Sequence, residues 1–355
     1  MRNYTIWPQL GIVSLALFVF FFSTALTFPS RLGLTGRYPV AFNTDIPRPS
    51  KYVEIDYSTI DAYARATPES ATRSLNTLSD YLTSPARSEL AKARSVYSWI
   101  TSHVRYDESA YSGQRYSSEV EYANRVLRSR RAVCTGFALL YKHLLDRAGI
   151  EVANIKGYSR TNDSEAGLPI QRIDHEWNAI KLDGDWYLLD IAWAQTTAKK
   201  GPDGELMPND FYFLTEPVAF AANHLPSDPR WQLLHSPISK TQFDRFPKLY
   251  DAYFRLGFNE DFPKNGLLQS GGNVLTLTLQ NDKDVEFMCS LSRVGGSTAT
   301  HIPVNIQRSG ETYHLTVPVT QRGNSTLYVF AKPKGARSER VKSYEGIASF
   351  TIVKG

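Results

Sequence analysis

Cys134 stands where a thiol could act as a nucleophile. It begins an amphipathic segment, 134–148, whose apolar residues recur at helical spacing, and Gly149 supplies the stop. The pattern predicts a helix with Cys134 at its N-terminus, where unpaired amides and the positive end of the helix dipole favour a thiolate over a thiol. Because the thiolate is the reactive form, Cys134 is a candidate nucleophile. Its position alone also fits a buried structural cysteine.

A predicted hairpin could supply a base and a carboxylate. Asp183-Gly184, a favoured two-residue turn, separates two strand-like segments, 175–182 and 185–190. With that turn, Asp190 lies opposite Trp177. His175 is two residues from Trp177, so it shares a face with Asp190, about 7–8 Å away between backbones. A three-residue turn would instead place the two on opposite faces of the sheet.

Cys, His and Asp in this order suit acyl transfer at an amide bond. The thiolate would attack the carbonyl carbon, His175 would accept and return the proton, and Asp190 would orient the imidazole. The reaction also needs donors for the developing oxyanion. The backbone amide of Cys134 is one candidate, and the side chains of Trp99 and Tyr106 are candidates for the second.

Three segments resemble the core motifs of the transglutaminase-like superfamily: VCTGF at 133–137, HEWN at 175–178 and WYLLDIAW at 186–193. The segments at 99–107, 211–214 and 224–234 are similar to those of kyphoscoliosis-peptidase-like proteins. The resemblance covers roughly residues 52–254. Ile191-Ala192 departs from the residues that often precede the last tryptophan, and this departure leaves Asp190 in place.

The resemblance implies a papain-like core with catalytic Cys134, His175 and Asp190. We therefore expect a cofactor-free cysteine enzyme that acts on amide bonds of proteins or peptides through a thioester, with hydrolysis favoured over transfer to an amine. The alternative is a scaffold or binding protein at a membrane or cell envelope that keeps the fold without turnover.

The elements that must position these residues indicate an α+β fold. Helical patterns fill 52–106 and are followed by the helix that begins at Cys134 and then by strands of an antiparallel sheet. Beyond Gly257, short alternating segments separated by turn residues predict a β-sandwich, with Cys289 in its core. We predict a linker at 30–50, a catalytic domain at 51–255 and a sandwich at 256–355.

The N-terminal segment 1–29 predicts a membrane anchor or a signal peptide. No charged residue occurs between Arg2 and Arg31, and the apolar run 10–28 is long enough to span a bilayer. It exceeds the usual apolar core of a signal peptide, which favours an uncleaved anchor over a cleaved signal. We therefore expect a membrane-anchored or secreted protein whose catalytic domain lies outside the cytoplasm.

Composition argues against several other classes of protein. The net charge of +5 is spread along 355 residues, and no aromatic and basic signature of nucleic-acid binding accompanies it. The two cysteines form no disulfide framework. No histidine spacing typical of a metal site occurs, so we predict no metal. His224, two residues before Pro226, is interpreted as capping or hydrogen-bonding a loop.

Overall fold

The described part of the chain begins with helices, which are followed by an antiparallel sheet and a β-sandwich. The computed structural model describes residues 52, 55–110, 116–201, 206–293, 298–320, 323–335 and 343–354. The predicted anchor or signal segment 1–29 and the linker 30–50 lie outside these residues. Within the described part of the chain, no helix has the length and apolar character needed to cross a bilayer.

The helices of the described chain are α1 Ser58–Arg65, α2 Leu75–Thr83, α3 Glu89–His103, α4 Glu119–Ser129, α5 Cys134–Arg147, α6 Ile191–Thr196, α7 Pro217–Ala221, α8 Lys240–Asp244 and α9 Asp251–Arg255. Serine side chains fix where α2, α3 and α4 begin: Ser74, Ser88 and Ser118 each accept a hydrogen bond from a backbone amide in the first turn of their helix. These three helices surround α5, which is buried along most of its length.

The strands are β1 Arg105–Tyr106, β2 Arg131–Ala132, β3 Val152–Ser159, β4 His175–Leu182, β5 Asp185–Leu189, β6 Lys199–Lys200, β7 Leu206–Met207, β8 Phe213–Thr215, β9 His224–Pro226, β10 Lys248–Leu249, β11 Leu267–Ser270, β12 Val274–Gln280, β13 Val285–Arg293, β14 Thr300–Ile302, β15 Asn305–Ser309, β16 Thr312–Pro318, β17 Ser325–Pro333 and β18 Glu345–Lys354. The first large sheet is antiparallel, with the order β8-β5-β4-β3-β9, and α5 packs on β3 and β4.

The C-terminal part is a two-sheet β structure, as the alternating pattern predicts. One sheet has the order β10-β18-β17-β13-β14, with β11 also paired to β18, and the other has the order β12-β16-β15. Apolar side chains of alternating residues fill the space between the sheets because successive strand residues point to opposite faces. Cys289 of β13 is fully buried there, as expected.

The predicted catalytic domain and the predicted sandwich both contribute strands that pair with β18. β18 pairs with β10, which precedes the predicted domain boundary at residues 255–256 in the sequence, and with β11, which follows that boundary. Gly167, in the loop that leads to β4, packs against the start of β11 so closely that a Cβ there would lie 2.1 Å from the backbone nitrogen of Leu267. The sandwich therefore supports the loop that delivers His175.

Candidate active site

Cys134 is the first residue of α5, as predicted. Val133 is extended, and no side chain caps the helix N-terminus, so the helix dipole acts on the thiol without a competing cap. Gly136 permits the close approach of the preceding strand, because a Cβ at this position would lie 2.6 Å from the Cβ of Ala132. Cys134 is partly exposed, whereas Cys289 is buried.

The hairpin of β4 and β5 has the predicted register. Leu182 pairs with Asp185, and Asp183 and Gly184 both adopt positive φ angles, as a two-residue turn of this type requires. His175 begins β4, and its Nε2 donates a hydrogen bond of 2.6 Å to Oδ2 of Asp190. The contact uses Nε2, so Nδ1 is the nitrogen that remains for Cys134.

Asp190 lies one residue beyond the strand that was predicted to contain it. β5 ends at Leu189, and Asp190 is the N-cap of α6. Its Oδ1 accepts a hydrogen bond of 2.9 Å from the amide of Trp193, and its own amide donates to the carbonyl of Tyr212 at 2.9 Å. These contacts fix the carboxylate at a strand-to-helix corner.

His224 is the site residue that sequence reasoning missed. It begins β9, which pairs with β3, and its Nε2 lies 2.9 Å from the same Oδ2 of Asp190 that His175 uses. Its Nδ1 lies 3.3 Å from the carbonyl oxygen of Phe220. The expectation of a hydrogen bond is met, but the partner is the carboxylate of the triad. The residues that follow His224, Leu225 and Pro226, form no sequence pattern that predicts this contact.

Comparison with known proteins identifies the fold that carries this site. A family model of the transglutaminase-like superfamily matches residues 76–191, and a model of the KY-like, immunoglobulin-like domain matches residues 240–354. Mouse kyphoscoliosis peptidase is 28% identical over 263 residues, which are 73% of this chain and 38% of that protein. Residues 76–191 therefore match the transglutaminase-like superfamily, and the second domain and these relatives support its kyphoscoliosis-peptidase-like branch.

Other transglutaminase-like relatives differ in name and length. Lim and transglutaminase domain protein ltd-1 of Caenorhabditis elegans is 31% identical over 61% of this chain and 31% of its own. The chain thus spans about 38–40% of the kyphoscoliosis peptidases of mouse and human. The crystal structure of a TGase matches at 18% identity, covering 41% of this chain and 34% of that one, with a TM-score of 0.26.

Burial and charge act together on the contact between His175 and Asp190. Burial alone lowers the pKa of His175, but the charge of Asp190 and the hydrogen bonds to Asp190 and Cys134 outweigh it and raise that pKa to about 10. Burial raises the pKa of Asp190, yet the charge of His175 and the bonds from both histidines hold it below its usual range. The pair is therefore an imidazolium beside a carboxylate at neutral pH.

Aromatic rings enclose the imidazoles of the transglutaminase-like core. The ring centroids of Trp193 and Trp177 lie 5.6 Å and 5.9 Å from that of His175. Phe220 stacks on His224 at 4.1 Å. Rings that exclude water strengthen the hydrogen bonds inside, because the local dielectric constant is low.

Tyr106 and Trp99, the two candidates for the second oxyanion donor, occupy different environments. Burial, followed by the charge of Cys134, raises the Tyr106 pKa to about 12, and the backbone of Cys134 opposes this rise. Trp99 Nε1 is buried and finds no acceptor among the described residues, while its ring packs under Arg130 and against His103. Tyr106 is therefore the candidate in contact with Cys134.

His175, Asp190 and His224 are also the described residues whose donor atoms could converge on a metal ion, since these atoms lie within 4.8 Å of one another. Two of the separations, 2.6 and 2.9 Å, are those of hydrogen bonds between an N–H and a carboxylate. Ligands of one zinc ion, each about 2.0–2.2 Å from the metal, lie farther apart than 2.6 Å. The group is accordingly a hydrogen-bonded chain.

Proposed function

We propose that this protein is a cysteine enzyme that acts on amide bonds of proteins or peptides, with Cys134 as nucleophile, His175 as general base and acid, and Asp190 as the residue that orients His175. The observation that carries the proposal is the contact of His175 with Asp190 through Nε2, which leaves Nδ1 for a thiol at an uncapped helix N-terminus. Two relatives named kyphoscoliosis peptidases support the choice of amide bonds.

The proposed reaction proceeds in two halves. Sγ of Cys134 bonds to the carbonyl carbon, the C–N bond breaks, and the proton on His175 goes to the departing amine. His175 then takes a proton from water as the water oxygen attacks the thioester, which releases a carboxylic acid and restores the Cys134 thiolate beside the His175 imidazolium. A primary amine in place of water would give acyl transfer. We favour hydrolysis because the similar relatives are named peptidases.

A direct test uses the full chain in mild detergent, first for thiol reactivity and then for turnover. We expect iodoacetamide to modify Cys134 rapidly at pH 6 and to leave Cys289 unmodified, since burial raises the Cys289 pKa to about 12. With unfolded casein, new peptide N-termini should exceed the incorporation of a fluorescent primary amine. Cys134→Ser should lower either activity by at least about 10³-fold.

The matched control is Cys289→Ala, which removes the other thiol and should retain activity. A Cys134 that reacts at pH 6 no faster than the same residue in urea would contradict the proposal. That result would favour the second candidate, a scaffold that keeps the fold without turnover. The relatives also include cytokinesis protein 3 of fission yeast, whose name states no enzymatic activity.

The location of the enzyme is a further part of the proposal. The apolar run 10–28 supports a membrane anchor, with the catalytic domain outside the cytoplasm. Alkaline carbonate extraction of membranes should leave the full chain in the pellet, and protease added to intact cells should digest residues 52–354. Recovery of the chain in the carbonate supernatant, with an intact N-terminus, would contradict the anchor.

A further inference from the structure

One oxygen of Asp190 contacts two imidazole rings. Its Oδ2 accepts from Nε2 of His175 at 2.6 Å and lies 2.9 Å from Nε2 of His224, while Oδ1 is taken by the amide of Trp193. A triad needs only the first of these contacts. The second comes from β9, which reaches the site from the opposite edge of the sheet.

The second imidazole is buried among aromatic rings. His224 is 2% exposed and Asp190 1%. Phe220 stacks on the His224 ring, and Trp193 and Trp177 lie 4.4 and 5.1 Å from it. The titratable and charged groups around it are His175, Asp190 and Tyr212, with Lys248 on the ring of Trp193. Such a setting disfavours a second positive charge.

The position of the proton on His224 follows from these contacts. Burial lowers the pKa of His224 and prevails over the opposing hydrogen bond and charge of Asp190, while the charge of His175 lowers it further. The ring is then neutral at pH 7. The single ring proton of a neutral His224 lies on Nε2, because the ionised carboxylate at 2.9 Å is a stronger acceptor than the carbonyl oxygen of Phe220, which lies 3.3 Å from Nδ1. His224 thus acts as a neutral donor beside the imidazolium of His175.

We propose that His224 is a positioning residue that keeps Asp190 ionised and correctly oriented while His175 changes its protonation state. This inference rests on the proposed function, because a change of protonation at His175 is a step of that reaction. When His175 gives its proton to the leaving amine, Asp190 loses its cationic neighbour inside a dry site. A buried carboxylate without a compensating charge or donor is costly. The bond from His224 persists through that step and offsets the loss.

The chemistry predicts a graded series of variants. His224→Phe keeps a flat ring among the aromatic residues and removes the donor, whereas His224→Gln keeps an N–H that can reach Asp190. We expect the rate of peptide release from casein to fall about tenfold in His224→Phe, because the loss of the proton from His175 becomes costlier by about one pKa unit. His224→Gln should stay within about threefold of the parent protein. His235→Phe makes the same substitution at an exposed histidine and should have no effect.

A second readout separates positioning from mere packing. In protein labelled with ¹⁵N-histidine, the His175 ring should titrate at higher pH in His224→Phe than in the parent protein, because an Asp190 without the second donor holds the imidazolium more strongly, and His224→Gln should restore the midpoint. Circular dichroism establishes that each variant is folded. If His224→Phe does not fold, His224→Asn replaces it, because its shorter side chain keeps an amide that does not reach Asp190.

The outcomes distinguish the inference from the function on which it rests. Fast alkylation of Cys134 in the parent protein, together with equal rates of peptide release in the parent protein and in folded His224→Phe, would overturn the role of His224 and leave the proposed function standing. Slow alkylation in the parent protein would contradict the proposed function. The ¹⁵N titration of His175 then decides the role of His224 by itself, and an unchanged midpoint in His224→Phe would overturn it.

Discussion

Asp190→Asn is expected to lower the proposed amide hydrolysis by about 10⁴-fold, the loss known for the same substitution in a serine-protease triad. The carboxylate accepts three hydrogen bonds, from His175, His224 and the amide of Trp193. An asparagine side chain has only one accepting oxygen. If that oxygen faces Trp193, the amide N–H₂ group faces two imidazole N–H groups. Nε2 of His175 must then accept a hydrogen bond, so His175 cannot become the imidazolium that pairs with the Cys134 thiolate.

The matched control is Asp174→Asn, one residue before His175. Asp174 accepts a hydrogen bond of 2.8 Å from the amide of Ser159, and an asparagine oxygen can accept the same bond. The initial rates of peptide release should therefore fall in Asp190→Asn and stay near those of the parent protein in Asp174→Asn. Comparable losses in both would show that any lost charge near β4 has this effect, which would contradict the assigned role.

The same substitution has a stability signature that depends on pH. Interactions with the histidines hold the Asp190 pKa down against the effect of burial, so its contribution is present above about pH 4 and is lost as the pH falls. The His175 pKa is raised, so its contribution is complete below about pH 6.5 and is lost as the pH rises towards about 10. The difference in urea midpoint between Asp190→Asn and the parent protein should be largest between these limits.

The Cys134, His175 and Asp190 positions were predictable because their geometry is local. A cysteine at the start of an amphipathic helix receives the helix dipole wherever that helix packs. The two-residue Asp183-Gly184 turn fixes the register of β4 and β5, and the two-residue period of strands then places His175 on the same face as Asp190. The catalytic roles of these residues stay predictions.

His224 was not predictable because its partner is remote in the chain. It comes 34 residues after Asp190, on a strand of only three residues that carries no alternating pattern. Its contact depends on the pairing of β9 with β3, at the far edge from β5. Gly157 permits that pairing, since a Cβ there would lie 2.3 Å from the carbonyl oxygen of Leu225. A glycine in a strand indicates a close approach without identifying what approaches.

The long strands of the sandwich were predictable, and the pairing of β10 and β11 with β18 was not. Alternation is visible in the sequence of β12, β13 and β16, and apolar runs between turn residues indicate β17 and β18. β10 has two residues and β11 four, which is too short for a period to show. Only their pairing with β18 reveals that the predicted catalytic and sandwich domains share a sheet.

Arg94→Met is expected to destabilise the protein by about 3–5 kcal/mol, as breaking a buried ion pair does when one charge remains. The guanidinium is 1% exposed and bonds Asp61 through two nitrogens at 2.7 and 2.6 Å, and Asp210 through the third at 2.8 Å. Methionine fills most of the aliphatic volume, so the loss reports chiefly on the carboxylates left behind. Lys92→Met, on the same helix and partly exposed, should change the free energy of unfolding by less than about 0.5 kcal/mol.

The charge left behind determines how the Arg94→Met effect depends on pH. Burial already raises the Asp61 pKa in spite of Arg94, and without the guanidinium this carboxyl group will hold its proton to higher pH still. The deficit measured by urea denaturation should therefore shrink as the pH falls towards 4, and Asp61→Leu in the same chain should recover much of it. A deficit that is constant with pH would instead indicate lost packing among Tyr57, Tyr97 and Phe213. The ion pair between Arg94 and Asp210 is also connected to the candidate site. Asp210 is the first residue of the short helix Asp210–Tyr212, and the carbonyl oxygen of Tyr212 accepts a hydrogen bond from the amide of Asp190.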